Sequence, residues 1–546
     1  MNSHLHLKTS DGVSRVTLDH GDEALALSEL LARRGTPLNT RCGGRGLCKG
    51  CEVLLEAGAV RERQTGITVH ADPAPHRAIR ACQVGMRLNQ PASISIPPRS
   101  LLRHEPAVVA EFKLGVPWAQ DPIDPSARFG AAVDVGTTTV ALLLADLTSG
   151  TSIGGASAFN AQVRFGEDVL TRIQRCREDA SSIAALQRAI AVETLQPLLE
   201  EACAAAGISP AQVGVMTIAA NTTMQHLLAG IDPSPLGIYP FTPVFLGHRT
   251  YAPPELGLAF GGPGAQVHLL PGPAAYVGAD LAAGVVATGM LYRDGLSVLV
   301  DVGTNGEIIV QSGGRLLGCA TAAGPAFEGA GLTSGTRGVR GAIERIRLEA
   351  NPYVAQVGII GDAVQPLGIC GSAYVDFLSE ARRTGIVGEK GRFTTTFAAT
   401  AGEALAPDDY GRKLRLHPRG LSGPIWISEL DISRLLQAKA AIAAGLCTLL
   451  EKIGRTPADV DRLFLAGGFG MHLSLDHAIA CGLLPGFTPA QIEVVGNTSL
   501  GGAFLALNDR NALAEMETVC AQLETIELNL EPEFEGAFID HLTLPG

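Results

Sequence analysis

Aromatic residues are scarce in this chain of 546 residues, at 5% with only two tryptophans, and charged residues reach only 18%. Hydrophobic residues still make up 46%, which excludes the low-hydrophobicity composition of a disordered chain. There is no basic excess. The net charge of −12 excludes the positive footprint that nucleic-acid binding needs. No uncharged apolar run approaches the length of a membrane-spanning helix, so no membrane contact is expected. The opening MNSHLHLKTSDG lacks the basic and apolar regions of an export signal, and a cytoplasmic location is expected. In that setting the eleven cysteines predict thiols or metal ligands in place of a disulfide framework. What abounds is glycine, 65 residues, which suits tight turns and close backbone–ligand contact. The length predicts two or more domains.

Four cysteines fall within the first 82 residues, spaced Cys42-x5-Cys48-x2-Cys51 with a distant Cys82. Plant-type [2Fe–2S] ferredoxins use C-x4-C-x2-C and a remote fourth ligand, one residue shorter in the first gap. Gly43, Gly44, Gly46 and Gly50 let such a loop curl so that amides point at sulfur. HLHLKT and VSRVTLDH alternate like a hairpin, ALALSELLARRG predicts a helix ending at Gly35, and CEVLLEAG and ASISIPP predict later strands. That order predicts an α+β β-grasp ferredoxin domain over 1–98, with a [2Fe–2S] cluster on Cys42, Cys48, Cys51 and Cys82. The alternative is a four-cysteine zinc site, which favours two short C-x2-C pairs; here there is one. Residues 1–98 hold 12 Lys and Arg against 9 Asp and Glu, a net of +3, so the remainder carries −15. Arg41, Arg45 and Lys49 lie in the loop itself, either as a docking surface for an acidic partner or as ordinary solvated charges.

Residues 99–128 hold Pro106, Pro117, Pro122 and Pro125 and predict a linker. Beyond it the sequence repeats. VDVGTTTV starts at Val133 and VDVGTNGE at Val300, an offset of 167. GISPAQVGVMTIAANTTM, from Gly207, resembles GRTPADVDRLFLAGGFGM, from Gly454, at an offset of 247. Two homologous halves explain this, about 129–290 and 291–546, the second longer by about 80 residues inserted between 341 and 430.

The repeated turn carries chemistry. Gly136 and Gly303 admit an anion to the backbone, while Thr137, Thr138, Thr304 and Asn305 add donors. A carboxylate beside a phosphate repels it unless a cation intervenes, so Asp134 and Asp301 predict Mg²⁺ held partly through water. Two facing hairpins would then grip a triphosphate. In LAGGFG (465–470), Gly467 and Gly468 leave room for a base or ribose.

VDVGTTTV, VDVGTNGE and LAGGFG resemble the two phosphate motifs and the adenosine motif of the acetate and sugar kinase/heat-shock cognate/actin (ASKHA) superfamily. The resemblance implies an α/β ATP-binding domain over 129–546, with two lobes of ribonuclease H-like topology and ATP with Mg²⁺ in the cleft. AANTTMQHLLAG, AAGPAFEGA, GICGSAYVDFL, LLQAKAAIAAG and VGNTSLGGA, together with the N-terminal ferredoxin, resemble the reductive activators of corrinoid proteins across nearly the whole chain. Some members of that family carry an additional domain between ferredoxin and ATPase, for which the short linker here leaves no room. The resemblance implies an ATP-dependent iron–sulfur enzyme that passes one electron to a Co(II) corrinoid protein of a methyltransferase system and restores Co(I). It also implies an upstream electron donor, with a homodimer left open. The alternative is an ATP-driven electron donor to another low-potential enzyme, such as an acyl-CoA dehydratase or reductase. A binding module or small-molecule kinase is the third reading.

No catalytic residue is assigned by sequence. Glu307 either orients a water or faces solvent, and Glu328 is a site or a structural residue. Lys439 is expected as a snorkelling surface lysine, with contact to the nucleotide as the alternative. The other seven cysteines are expected to be buried thiols, and His226 to pack or cap its helix.

Overall fold

Leu5 and Leu7 alternate inward along the strand His4–Thr9 and, with Leu27, Leu30 and Leu31 of the helix Leu27–Arg33, make the core of the N-terminal unit. The computed structural model describes residues 4–9, 12–38, 40, 44–46, 50–72, 76–87, 91–97, 100–101, 111–166, 168–303, 305–361, 365–420 and 423–546. Five strands form the N-terminal sheet in the order Gly12–Thr17, His4–Thr9, Ala92–Ser95, Glu52–Ala57, Arg77–Arg80. The first two are an antiparallel hairpin, and His4–Thr9 lies parallel to the last strand in sequence, Ala92–Ser95. That is the β-grasp arrangement expected from the order of hairpin, helix and later strands.

The expected linker is tied down over 111–128. Phe112, Leu114, Val116 and Trp118 alternate against the large core, and Phe112 and Trp118 meet the ring of Phe504. The amides of Lys113 and Gly115 donate to the carbonyls of Val495 and Ala287, one on each lobe beyond.

Those lobes share a topology. In the first, the antiparallel strands Thr151–Phe159, Thr139–Asp146 and Phe129–Val135 are followed by Val213–Ala220 and Gln266–Leu269, each parallel to its neighbour. In the second, Arg315–Thr321, Gly306–Ser312 and Leu296–Val302 are followed by Arg462–Ala466 and Ile492–Gly496 in the same sense. This is the duplicated ribonuclease H-like pattern. The second lobe also holds two three-stranded sheets, within 342–369 and 405–428.

The lobes interlock through the helices Ala279–Thr288 and Thr498–Asn508. The latter leaves the second-lobe sheet but packs on Phe129–Val135 and Val213–Ala220 of the first. Their crossing is close because Gly502 has no side chain: a Cβ there would stand 2.3 Å from the Ala283 carbonyl oxygen. Among the described residues one helix, Glu429–Lys452, is long and apolar enough to cross a membrane, and 78% of its apolar window is buried in the fold.

Candidate functional site

Each repeated turn lies at the end of the first strand of its lobe, and both open into one cavity of about 370 Å³ between the lobes. The first-lobe turn is braced from beneath. Asn160 donates through its side chain to the Gly136 carbonyl (2.9 Å) and through its amide to the Thr138 carbonyl (2.9 Å). Arg172 donates to the Thr137 carbonyl (2.5 Å), and also to the Gly166 carbonyl and the Gln162 side chain. All three carbonyls of the turn are thus engaged by these partners, an arrangement that suits an anion held by its amides. Gly136 is obligatory, because a Cβ would stand 2.6 Å from the Thr139 carbonyl oxygen. At Gly303 a Cβ would meet nothing nearer than 3.8 Å, so the backbone there is open to a ligand. Asn221 donates to the Thr137 hydroxyl at 3.0 Å. Thr304 lies outside the described residues.

Arg172 is fully buried, and burial pulls its guanidinium down to about 9. Arg172→Leu should strip a donor from three buried acceptors and cost about 3 kcal/mol or more. It should also weaken nucleotide binding. Chemical denaturation checks the first effect, and an unchanged midpoint would contradict the bracing role.

Four carboxylates meet across the cavity. Asp134 accepts from Asn497 (2.9 Å) and Ser499 (2.8 Å) at the start of the helix Thr498–Asn508, which orients it. Asp301 stands directly opposite Glu307 across the antiparallel ladder, a like-charge pairing that ordinarily destabilises a sheet. Burial first, and then the Asp134 charge, push Asp301 up to about 7. Burial, Asp134 and Asp301 push Asp280 up to about 7 as well. Glu307 is raised well above the ordinary carboxylate range by burial, Asp280 and Asp301. It is 7% exposed and lines the cavity, which corrects the solvent-facing alternative. Among the described residues no three acidic or other ligand groups converge closely enough to hold an ion directly. Binding through water is the mode this spacing fits.

Gly467 (φ +87°) abuts the second-lobe turn, where a Cβ would stand 2.7 Å from an Asp301 carboxylate oxygen. With Gly468 it leaves one wall bare, and Phe469 stacks on Phe327 beside it at 5.3 Å. Glu328 accepts from the Thr138 hydroxyl at 3.2 Å, a contact between lobes. Lys439 takes neither expected position. It is 1% exposed and donates to the Thr543 carbonyl at 2.8 Å, away from the cavity, and burial lowers it to about 8. His226 ties its helix to the next segment, with Nδ1 against the Thr222 carbonyl and Nε2 accepting from the Val244 amide.

Of the four proposed cluster ligands, Cys42 and Cys48 lie outside the described residues. Cys51 and Cys82 are 0% and 5% exposed. The ladder pairs Glu52 with Arg80, and the Ala81 amide donates to the Cys51 carbonyl, so the two cysteines occupy adjacent loop positions. Gly44 and Gly46 adopt φ of +80° and +74°, and Gln83 donates to the Gly44 carbonyl and toward Cys82 Sγ. Two buried cysteines near glycines of positive φ, with the Gln83 side chain aimed at Cys82 Sγ, fit an iron–sulfur group. Of the remaining cysteines, Cys447 and Cys520 are half-buried and the other five are buried.

A second cavity, about 600 Å³, lies between the strand Ala342–Ala350 and the helix Gly371–Arg383. Its acids are committed to structure. Asp376 and Glu380 accept from the Ile346 and Leu348 amides and so cover a sheet edge. His477 donates to Asp376 at 2.6 Å, and that bond above all raises its pKa. Its stabilising contribution is therefore full below about 6.5 and lost as pH rises through the raised value. His477→Gln should flatten the fall in Tm over that range; an unaltered Tm–pH slope would contradict this.

Sequence reasoning missed Asp280, Asn160, Arg172 and Arg337. Asn221, Asn497 and Ser499 stood inside quoted motifs, as N-caps or first-turn residues of helices that follow parallel strands.

Comparison with known proteins adds to this geometry. Residues 129–293 match the RACo middle region, and residues 295–546 match the C-terminal domain of RACo, the ASKHA domain. The corrinoid activation enzyme RamQ of Eubacterium limosum is 29% identical over 96% of both chains. A [Co(II) methylated amine-specific corrinoid protein] reductase of Methanosarcina barkeri is 26% identical over 45% of each. The solved structure of a reductive activator for corrinoid, iron-sulfur protein superposes with a TM-score of 0.70 at 28% identity, covering 99% of this chain and 98% of that one.

Proposed function

We propose, from the premise that this chain belongs to the RACo family, that it is an ATP-dependent reductive activator returning a Co(II) corrinoid protein to Co(I). The observation that carries the proposal is the joining of a buried cysteine loop to a phosphate-gripping cleft in one chain. In this reading residues 1–98 form the electron-carrying domain, 99–128 the connection and 129–546 the ATPase. Cys42, Cys48, Cys51 and Cys82 would hold a [2Fe–2S] cluster, which supplies a one-electron donor when bound. The turns at 136–138 and 303–305 would hold the phosphates, Asp134 and Asp301 the hydrated Mg²⁺, and Gly467 and Gly468 the nucleoside. Glu307, raised by burial and by Asp280 and Asp301, would hold a proton within the cavity.

A one-electron transfer is tenfold uphill for about every 59 mV of mismatch, so a donor of ordinary potential needs assistance. Lobe closure is suited to provide it. The Thr40 hydroxyl, two residues before Cys42, donates to the Arg164 carbonyl at 3.3 Å. Arg164 belongs to the segment in which Asn160 braces the first-lobe turn directly and Gly166 holds Arg172, which braces it in turn. The nucleotide turn and the cysteine loop are thus joined through a short run of residues.

The partner would be a corrinoid protein of a methyltransferase system, with a separate reductant upstream and a cytoplasmic setting. The names of the matched relatives favour this over an acyl-CoA dehydratase or reductase as acceptor. The test is the ATPase rate of the iron-loaded protein, with and without a Co(II) corrinoid protein from the same organism. Stimulation by the Co(II) form and none by the methylated form is expected. Equal rates under all three conditions would overturn the proposal.

A further inference from the structure

Six carboxylates line the nucleotide cavity, whereas Arg337 is the one lysine or arginine among its described lining residues. Arg337 comes from the second lobe, in the segment before the strand Ala342–Ala350. Its guanidinium carbon lies 4.3 Å from the ring centre of Phe159, a first-lobe residue. Phe159 pairs with Thr139 across the ladder, so Arg337 stands beside the first-lobe phosphate turn. The same second-lobe region reaches that turn again through Glu328 and Thr138.

The cavity has a direction. Gly467, on the bare wall read as the nucleoside site, abuts Asp301 and Val302 of the second-lobe turn. The second-lobe turn therefore serves the phosphates nearest the nucleoside. The first-lobe turn, and Arg337 with it, stands at the far end, where the terminal phosphate of a triphosphate lies.

We propose that Arg337 is the specificity-determining residue that reads the terminal phosphate and draws the lobes together while the triphosphate is intact. The inference rests on the ATP reading given above. A guanidinium offers a planar fork of donors matched to phosphate oxygens, and a face-on aromatic ring holds it in place at little entropic cost. In a cavity crowded with carboxylates, this cation offsets the repulsion that a triphosphate would otherwise meet. Because it crosses from one lobe to the other, its bond to the terminal phosphate exists only in the closed arrangement. ADP lacks that phosphate and would leave only the Arg337–Phe159 contact across the lobes.

The test is calorimetric titration of the full chain with ATP and with ADP, in Mg²⁺, for the unsubstituted protein, Arg337→Gln and Arg337→Lys. Tm measured alongside reports folding. Arg337→Gln should lose on the order of tenfold to a hundredfold in ATP affinity but less than about threefold for ADP. Arg337→Lys, which keeps the charge and loses the fork, should fall between. Equal losses for ATP and ADP, or no loss for either, would overturn the role. Absence of ATP binding by the unsubstituted protein would overturn the nucleotide reading and this role with it, which separates the two failures.

Discussion

Serine in place of Cys51 or Cys82 is expected to abolish cobalt reduction while leaving nucleotide binding unchanged. A cluster ligand must be a thiolate, and a serine hydroxyl is far too weak an acid to replace it near neutral pH. Cys51 opens the strand Glu52–Ala57 in the floor of the N-terminal core, and Cys82 follows the strand paired with it. The substitution exchanges one small atom for another, so the leucine core around it should persist. The nucleotide cavity is lined by residues between Asp134 and Ser499, all outside this unit. Visible absorption and EPR of the anaerobically reconstituted variants should show the cluster lost, and calorimetry should show ATP affinity within about twofold of the parent. Cys176→Ser is the control. That thiol is buried in the first-lobe core, which pushes it up to about 11, and its loss should leave the cluster spectrum intact. A full cluster spectrum in the Cys51 or Cys82 variant would remove these residues from the ligand set.

Asparagine at Asp301 should have the next largest effect, lowering Mg-ATP affinity or turnover on the order of a hundredfold or more. The same change at Asp134 is less clean. Both of its oxygens accept, one of them from the Asn497 amide, and a second amide there would set donor against donor. The apoprotein should respond in the opposite direction. Burial and the Asp134 charge raise Asp301 to about 7, so its stabilising contribution is full below about 4 and is lost as pH rises through 7. Asparagine is neutral throughout. Metal-free Asp301→Asn should therefore have a higher Tm than the parent at pH 8 and a closely similar one at pH 4. A carboxylate kept for stability would show the reverse, a lower Tm at pH 8 with turnover preserved.

Features written in contiguous residues were legible in the sequence. The hairpin alternation, the cysteine spacing, the doubled VDVGT and the strand before LAGGFG each depend on neighbours a few residues apart. The duplication followed from the offsets, and the topology of the two lobes from the resemblance. What depended on distant chain was not legible. Asp280 is one acid at the start of an apolar helix and acquires meaning only where Asp134 and Asp301 converge on it. Arg172 is one arginine on an amphipathic helix and acquires meaning only where the first-lobe turn rests on it. Glu307 kept a solvent-facing alternative because nothing in GEIIVQS announces that both faces of its strand are covered. Lys439 looked like a snorkelling residue because nothing in its helix announces that the C-terminal carbonyl of Thr543 will reach it. The alternation of Phe112, Leu114, Val116 and Trp118 was present in the sequence, with prolines around it that favoured a loose connection.

The most direct measurement mixes chemically reduced, iron-loaded protein with a Co(II) corrinoid protein under anaerobic conditions and follows Co(I) absorption with Mg-ATP, with Mg-ADP and without nucleotide. Co(I) should form with Mg-ATP alone, and Asp301→Asn should abolish that formation with the cluster spectrum intact. Equal Co(I) formation with and without ATP would contradict the coupling of the phosphate cleft to the cysteine loop.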